Sequence, residues 1–294
     1  MLNSGAASLT PSVATVWYGS RGVFGGGHTG SSTNVIDYIT IATTGNATDF
    51  GDRTLTDRNS GACSNGSRGV FGGGGDPTTN VIDYITIATT GNALDFGDLT
   101  LARGTISACS DGNRGVFCAG WALNTMDYIT IATTGNATDF GDLSLAGAFQ
   151  GACADATRGV IAGGYQNYDG IDYITIQTTG NSTTFGNLTG NRYAVSGCSD
   201  TTRGVFGGGY GGGATRNTIE YVTIQTTGNA TDFGDLTLAR ETPASCSDGT
   251  KGVWAGGETT VNIIDYVTIQ TTGNASDFGD LTVARSQIAA CSGD

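Results

Sequence analysis

Cysteine and histidine are the residues of this chain whose chemistry can be judged most directly from spacing. The chain has 294 residues, with seven cysteines and one histidine, His28. Six cysteines occupy one position of a repeated unit: Cys63, Cys109, Cys153, Cys198, Cys246 and Cys291. Equivalent positions of neighbouring units lie too far apart for a disulfide, and no Cys-x-x-Cys pair is present to bind zinc. We therefore predict small buried residues, Cys118 included, with no metal and no cofactor.

Three further patterns would mark an enzyme in another context. Asp-Phe-Gly recurs at Asp49, Asp95, Asp139, Asp232 and Asp277. In kinases this triplet acts with a catalytic loop and a lysine that the sequence lacks. The glycine-rich run 25–30 precedes no helix that could bind phosphate. Glutamate occurs only as Glu220, Glu241 and Glu258, and no carboxylate pair stands out for glycosidic chemistry, so we expect a protein that is not an enzyme.

A basic residue begins the second predicted strand of every unit. The six are Arg21, Arg68, Arg114, Arg158, Arg203 and Lys251. They fall at the same end of the unit as fourth-strand aspartates such as Asp95, which favours an ion pair or a cap on turn carbonyls. A ring of six cations could instead bind an anion, and both interpretations stay open at this stage.

The spacing of charged residues defines the repeat and its one variable segment. An acidic residue lies in a triplet of the third strand: Asp37, Asp83, Asp127, Asp172, Glu220 and Asp265. From Asp83 to Arg114 is 31 residues, and the same interval recurs in the other four places. From Arg114 to Asp127 is 13 residues, but the equivalent interval reaches 17 elsewhere. Length changes collect where backbone is not tied into a sheet, and such loops often carry binding residues.

Each unit is interpreted as four antiparallel strands. In the second unit these are predicted at 61–64, 68–71, 80–87 and 94–99. The Asp-Gly and Asn-Gly pairs after the first strand favour a hairpin with positive φ at both residues, so units with Asp155-Ala156 or Asp200-Thr201 are expected to turn more loosely. Apolar residues on both faces of the third strand require cover on both sides. The prediction is an all-β, six-bladed β-propeller of four-stranded antiparallel blades.

The unit resembles the kelch repeat. Kelch units have paired glycines after the second strand, and here Gly72 and Gly73 would fill that role. Tyr84 would be the aromatic residue of the third strand and Phe96 the anchor of the fourth, although kelch repeats use Trp there and do not place Asp before Tyr. The wording of the repeat, Ile-Asp-Tyr-Ile-Thr-Ile through Asp-Phe-Gly-Asp, is also similar to repeats encoded by bacteriophages of marine bacteria. That similarity implies a virion protein of a tail or fibre, made in the host cytoplasm.

The two ends of the chain predict how the ring closes. Residues 289–292, Ala-Ala-Cys-Ser, match a first strand, whereas residues 13–18 do not. We expect the C-terminal strand to complete blade 1, beside residues 21–55. The predicted organisation is an N-terminal arm over 1–17 and a propeller over 18–294, with units beginning near 21, 68, 114, 158, 203 and 251.

The loops of such blades lie at two ends. Loops 1–2 and 3–4, between the strands of those numbers, are nearly uniform and form the constant face. Loops 2–3 hold all the length changes, and loops 4–1 keep their length but differ in residue identity. Together they form the variable face, where aromatic rings beside polar groups suit recognition of a sugar or a protein. The candidate ligand-binding residues there are His28, Trp121, Tyr165, Tyr168, Asp169, Tyr193, Tyr210 and Arg216. The alternative is that unselected loops drift and the aromatic residues only cover the hub.

Charge narrows the choice of partner. A formal net charge of −13, with Lys251 as the only lysine, argues against nucleic acid and against an anionic bilayer. The sequence has no long apolar run and no signal-peptide pattern near its start. Expected partners are a host-surface glycan or protein and other virion subunits, and homo-oligomerisation stays open. A structural or decoration protein, whose propeller serves only assembly between proteins, is the alternative function.

Overall fold

The computed structural model of the chain describes residues 18–165 and 169–293. These residues form six four-stranded antiparallel sheets and one short two-stranded hairpin. The sheets follow one another around a central axis, with the first strand of each blade innermost. The predicted six-bladed β-propeller is therefore confirmed, and the predicted arm over 1–17 lies outside the described residues.

The strands of blades 1 to 3 begin close to where the repeat placed them. From first to fourth they are, in blade 1, Ala289–Gly293, Arg21–Gly25, Thr33–Thr40 and Thr48–Asp57; in blade 2, Gly61–Ser64, Arg68–Gly74, Thr79–Thr86 and Leu94–Asp98; and in blade 3, Ser107–Ser110, Arg114–Gly120, Leu123–Thr130 and Thr138–Gly147.

Blades 4 to 6 keep the same order, with shorter third strands. They are, in blade 4, Gly151–Ala154, Arg158–Ala162, Gly170–Thr175 and Thr183–Asn187; in blade 5, Ser196–Ser199, Arg203–Gly207, Thr218–Thr223 and Thr231–Asp235; and in blade 6, Ala244–Ser247, Lys251–Ala255, Ile263–Thr268 and Ser276–Asp280. The extra hairpin, Tyr210–Gly211 with Ala214–Thr215, lies in loop 2–3 of blade 5.

The C-terminal strand completes blade 1, as predicted. Val23 pairs with Tyr38 on one side and with Cys291 on the other, both antiparallel. The last strand of the chain thus covers the inner edge of the sheet that contains the first. Pairing this edge removes the unpaired backbone groups that an open blade would present.

The cysteines pack across the seams, the interfaces between adjacent blades. Cys63 of blade 2 faces Gly115 of blade 3, where an added Cβ would lie 2.5 Å from the sulfur. The same contact joins Cys109 to Gly159, Cys153 to Gly204, Cys198 to Gly252, Cys246 to Gly22 and Cys291 to Gly69. All seven cysteines are buried and free, which confirms their predicted role as small core residues. Their contacts form a complete cycle because the ring is closed.

Buried ion pairs form a second set of seam contacts, which the sequence analysis did not anticipate. An arginine from the end of one blade meets the triplet carboxylate of the next at 2.7 to 3.1 Å in five seams: Arg53–Asp83, Arg103–Asp127, Arg192–Glu220, Arg240–Asp265 and Arg285–Asp37. Their side chains are almost wholly excluded from solvent. Charges buried in this way must stay paired, because removing one partner strands the other in a low-dielectric interior.

The seam between blades 1 and 2 carries its arginine at a different position. Blade 1 has Arg53 at a position where blade 2 has leucine. At the position that the arginine usually occupies, blade 1 has Asp57. Arg53 contacts Asp57 at 2.5 Å and Asp83 at 3.1 Å, so two carboxylates share one guanidinium. Burial raises the pKa of Asp57 to about 7, opposed by the charge of Arg53 and increased by that of Asp83.

The seam between blades 3 and 4 has a glycine, Gly147, in the arginine position. Its carboxylate, Asp172, instead accepts hydrogen bonds from the Ser144 amide at 3.0 Å and the Ser182 hydroxyl at 2.7 Å. Ser182 stands where the other five units have alanine. A hydroxyl has therefore replaced a cation as the local partner of this carboxylate.

The basic residues of the constant face cap carbonyls of the next blade. Arg68 lies 4.1 Å above the Tyr84 ring and donates at 3.0 Å to the Ile131 carbonyl of the next blade. Arg21, Arg114, Arg158, Arg203 and Lys251 stack on the equivalent tyrosines and donate to Ile87, Ile176, Ile224, Ile269 and Ala42 respectively. The carbonyl-cap interpretation is confirmed, and the caps act between blades.

The turns of the constant face differ from the predicted type. The Asp111 carboxylate accepts hydrogen bonds from the amides of Asn113 and Arg114, and only Gly112 has positive φ. Asp155 and Asp200 make the same two bonds, so their turns are not looser and that prediction was wrong. The turn depends on the acceptor side chain, which all these units keep, and not on a glycine.

Candidate functional site

The variable face is built from three repeated positions on one backbone frame. The outer position follows the two residues of positive φ that end strand 2, and comprises His28, Gly75, Trp121, Tyr165, Tyr210 and Glu258. The middle position lies in loop 4–1 and comprises Arg58, Gly104, Ala148, Tyr193, Glu241 and Ser286. The inner position follows it and comprises Asn59, Thr105, Phe149, Ala194, Thr242 and Gln287. Side chains of every size occupy each position.

Backbone hydrogen bonds hold these positions in place. The outer Tyr165 amide donates to the middle Ala148 carbonyl at 2.8 Å, and Tyr210 and Tyr193 exchange two such bonds at 2.8 and 3.0 Å. His28 makes the equivalent bond to Ser286. Since these bonds use only main-chain atoms, they place no demand on the side chain.

The inner residues form what we call the inner arc, six residues joined by five backbone bonds around the axis. Beginning from Gln287, each following amide donates to the carbonyl of the inner residue before it, in the order Gln287, Asn59, Thr105, Phe149, Ala194 and Thr242, at 2.8 to 3.1 Å. All six have φ between 52° and 62°, the left-handed region that non-glycine residues seldom adopt. The arc holds them there because the turn directs each amide towards its neighbour's carbonyl.

Five of the side chains on this frame form an aromatic patch: Trp121, Phe149, Tyr165, Tyr193 and Tyr210. Trp121 stacks on Tyr165 with ring centroids 5.6 Å apart and planes 16° apart. Tyr165 meets Tyr193 edge-on at 5.5 Å, and Tyr193 lies 5.5 Å from Tyr210. Phe149 lies 6.2 Å from both Trp121 and Tyr193, nearer the axis. The patch is continuous across blades 3 to 5.

Trp121 is the most exposed ring of the patch. Its side chain is 60% exposed and that of Tyr165 is 37% exposed. Stacked rings at such exposure offer flat apolar surface to a ligand, while tyrosine hydroxyls supply polar groups at the edge. The patch is thus suited to bind a flat, partly apolar face.

The opposite side of the variable face, from blade 6 to blade 1, is polar. Gln287 donates to Glu258 at 2.9 Å, and Asn59 donates to Gln287 at 3.3 Å. Arg58 pairs with Asp76 at 3.0 Å. Burial and the neighbouring Glu258 raise the pKa of Glu241. This half would favour hydroxyl or cationic groups over anions.

Four of the predicted ligand-binding residues come together, and His28 lies apart from them. Trp121, Tyr165, Tyr193 and Tyr210 form most of the patch. His28 occupies the outer position of blade 1, opposite blade 4 in the ring, and its imidazole Nδ1 accepts a bond from Gly30 at 3.4 Å. Tyr168 lies outside the described residues.

Asp169 and Arg216 have local structural contacts. The Asp169 carbonyl accepts the Leu188 amide at 2.7 Å, as Asn80 does for Leu99, and the same position holds Asn in the other five units. Arg216 donates from Nε to the Gly211 carbonyl at 2.9 Å and borders a pocket beside Arg192 and Glu220. Among the described residues these contacts do not reach the patch, so the role of Asp169 and Arg216 in ligand binding stays a prediction.

Phe149 is the member of the patch that the candidate set omitted. It follows the fourth strand at a position filled by threonine, alanine, asparagine or glutamine in the other loops. A single aromatic residue among such neighbours was visible in the repeat. What the sequence could not indicate is that the inner position faces the axis, where Phe149 connects the patch to the centre of the ring.

An axial cavity of about 110 Å³ opens between the inner residues. Four consecutive residues from each of the six loops line it, among them Asn59, Thr105, Phe149 and Gln287. No lining residue carries a formal charge. The patch therefore ends at a polar, uncharged space on the axis of the propeller.

Among the described residues, no group of three or more His, Cys, Asp or Glu side chains is arranged to hold a metal ion. No helix in the same ranges could cross a bilayer. The chain matched neither a protein-family model nor a curated protein.

Proposed function

We propose that this protein is a non-enzymatic, virion-associated β-propeller of a tail or fibre that binds a host-surface glycan or protein through its variable face. The observation that carries the binding proposal is the aromatic patch on blades 3 to 5. The assignment to a virion depends on the similarity of the repeat to phage-encoded repeats.

The fold does not require aromatic residues where the patch has them. The outer position that holds Trp121 in blade 3 holds glycine in blade 2, and the inner position of Phe149 holds alanine in the next loop. The backbone bond of the inner position is the same with phenylalanine as with alanine. Five neighbouring aromatic residues at permissive positions, partly exposed, are therefore better explained by a ligand than by packing.

The charge distribution favours an uncharged or cationic surface as the ligand. The chain carries a net charge of −13, and Glu241 and Glu258 lie on the same face as the patch. Anionic ligands would meet repulsion at close range. Neutral sugars, which stack on Trp and Tyr through their C–H faces, fit the patch without that cost.

A structural or decoration protein remains the second candidate. Exposed Trp and Tyr are also enriched at the centres of protein–protein interfaces. The described chain begins at Tyr18, which packs against Gly249 on the constant face. The variable face lies at the other end of the blades from this contact.

The test compares intact chain and variants for binding to a glycan array and to intact bacterial cells. A triple variant, Trp121→Ala with Tyr165→Ala and Tyr210→Ala, should lose binding because it removes most of the flat surface. Leu94→Ala is the matched control, since Leu94 is also 60% exposed but lies on the constant face. Loss in the triple variant alone supports the proposal. Unchanged binding in that variant would contradict it, and binding only to virion proteins would favour the structural role.

A further inference from the structure

The axial cavity has more room than bound water requires. Its volume is about 110 Å³, whereas one water needs about 10–15 Å³ by the same kind of measure. It lies at the centre of the variable face and is bordered by the inner arc. A small molecule, or one end of a larger one, therefore fits the space.

Two hydroxyl-bearing residues of the cavity wall have no hydrogen-bond partner for their hydroxyl among the described residues. Ser107 lines the cavity and is only 7% exposed, and its buried hydroxyl makes no hydrogen bond there. Thr242 also lines the cavity, and its hydroxyl is likewise buried without a partner. A buried hydroxyl without a partner is costly, so rotation of either side chain to meet a polar group in the cavity would be favourable.

The wall selects for uncharged polar groups. Its polar side-chain groups are hydroxyls and amides, which can both donate and accept, and it contains no cation to balance an anion. At the mouth, Gln287 is bonded to Glu258, and Thr242 follows Glu241 in the chain. An anionic group would thus lose its hydration and face two carboxylates.

We propose that the axial cavity is a subsite for one neutral sugar residue of a glycan whose adjoining residues lie on the aromatic patch. This inference rests on the proposed glycan-binding function and makes it specific. Phe149 joins the two regions, because it lines the cavity and also contacts Trp121 and Tyr193. A glycan would run from the axis across blade 4, with hydroxyls in the cavity and a sugar face on the rings.

In the experiment the full chain is titrated with neutral hexosides and oligosaccharides, and separately with their matched uronates. Binding is measured by the chemical shifts of backbone amides. Ser107 and Ala194 report on the cavity, and Tyr165 and Tyr210 report on the patch. Neutral oligosaccharides should shift both sets, and uronates should bind more weakly. Ser107→Ala should weaken binding about 2- to 10-fold, the effect of one neutral hydrogen bond, without loss of stability, because its hydroxyl has no protein partner.

Ser110→Ala is the matched control, since Ser110 lies on the same strand but donates to the Ser64 carbonyl near the constant face. It should leave sugar affinity unchanged. If sugars shift only the patch and Ser107→Ala has no effect, the subsite is wrong while the proposed function stands. Equal affinity for uronates and neutral sugars would show that the subsite does not select for neutral ligands. If no sugar changes the amide shifts of either set, the proposed subsite is wrong. Binding to cells then decides whether the proposed function is wrong as well.

Discussion

The constant and variable faces are two ends of the same six blades, yet side chains take different parts in joining neighbouring blades there. On the constant face side chains add to main-chain bonds such as those from the Gly91 and Ala93 amides to the Phe50 and Asp52 carbonyls. Asn92 Oδ1 accepts the Asp52 amide of the preceding blade, and five equivalent asparagines repeat this contact around the ring. On the variable face the joints of the inner arc use only main-chain atoms. The asparagines of the constant face are thus fixed by a side-chain contact, whereas the bonds of the inner arc place no demand on the side chains.

This difference explains why the two faces vary so unequally. Replacing a constant-face asparagine would leave a backbone amide without its acceptor, so every unit keeps that residue. At the inner position, asparagine, threonine, phenylalanine, alanine and glutamine all support the same bond. Side-chain variation on the variable face therefore leaves these main-chain bonds intact. Such variation does not by itself indicate function. The clustering of aromatic residues in three adjacent blades is the feature that needs another cause.

The strongest way to break both faces together is to open the ring. Deletion of residues 287–294 removes the strand Ala289–Gly293, its pairing with Arg21–Gly25 and the Cys291 contact with Gly69. We expect the melting temperature to fall by more than about 10 °C, since several kcal/mol are lost at once. Calorimetry on the full and shortened chains measures this, and an unchanged transition would disprove the closure.

The seams allow a sharper comparison, between a blade pair with an ion pair and one without. Arg240→Met leaves Asp265 buried without its cation, and should cost about 3–5 kcal/mol of unfolding free energy. Ser182→Ala at the seam of blades 3 and 4 removes only a hydroxyl partner of Asp172 and should cost about 1–3 kcal/mol. Chemical denaturation gives both values. Equal losses would show that the arginine and the hydroxyl are equivalent partners.

A pH dependence should mark the seam of blades 1 and 2. The folded pKa of Asp57 is raised from 3.8 to about 7, so the folded state holds this proton more tightly than the unfolded chain. Its contribution to stability is complete below pH 4 and is lost as pH rises towards 7. Asp57→Asn should flatten the decline between these values. A decline of the same size in the variant would assign it to other groups.

The smallest expected changes in unfolding free energy come from single substitutions, one on each face. Asn136→Ala removes the acceptor of the Asp98 amide on the constant face and should cost about 0.5–1.5 kcal/mol. Thr105→Asn installs on the variable face the inner residue of the preceding loop and should change stability by less than about 0.5 kcal/mol. The same denaturation experiment ranks them. A larger loss for Thr105→Asn would contradict the view that the inner arc is independent of side chains.

The fold could be predicted because repetition multiplies weak signals. One run of alternating residues around Tyr84 is ambiguous, but six runs at a fixed spacing from a cysteine and an arginine define strand, face and closure. Turn type could not be predicted in this way. Asp111 and Asp155 act through carboxylate acceptors, a role that is independent of the glycine used to infer the turn.

The candidate site was predicted in part for a similar reason. Trp121, Tyr165 and Tyr210 stand out because loop 2–3 changes length, and length is visible in sequence. Phe149 lies in loop 4–1, which keeps its length, and the direction of a residue with φ of 60° depends on the neighbouring blade, so its contact with the patch could not be predicted. The seam ion pairs were missed because Arg240 and Asp265 are joined only by the packing of separate blades.

The inner arc has a consequence for how such a protein can change over generations. Because its joints are main-chain, the loop of one blade is an interchangeable part, and recombination between copies of the repeat can transfer a side-chain set without rebuilding a contact. Phe149 and Ala194 are the inner residues of two such neighbouring loops. The ligand specificity could thus change one blade at a time, without loss of stability in the closed ring. The same property makes the face a scaffold on which loops can be grafted by design.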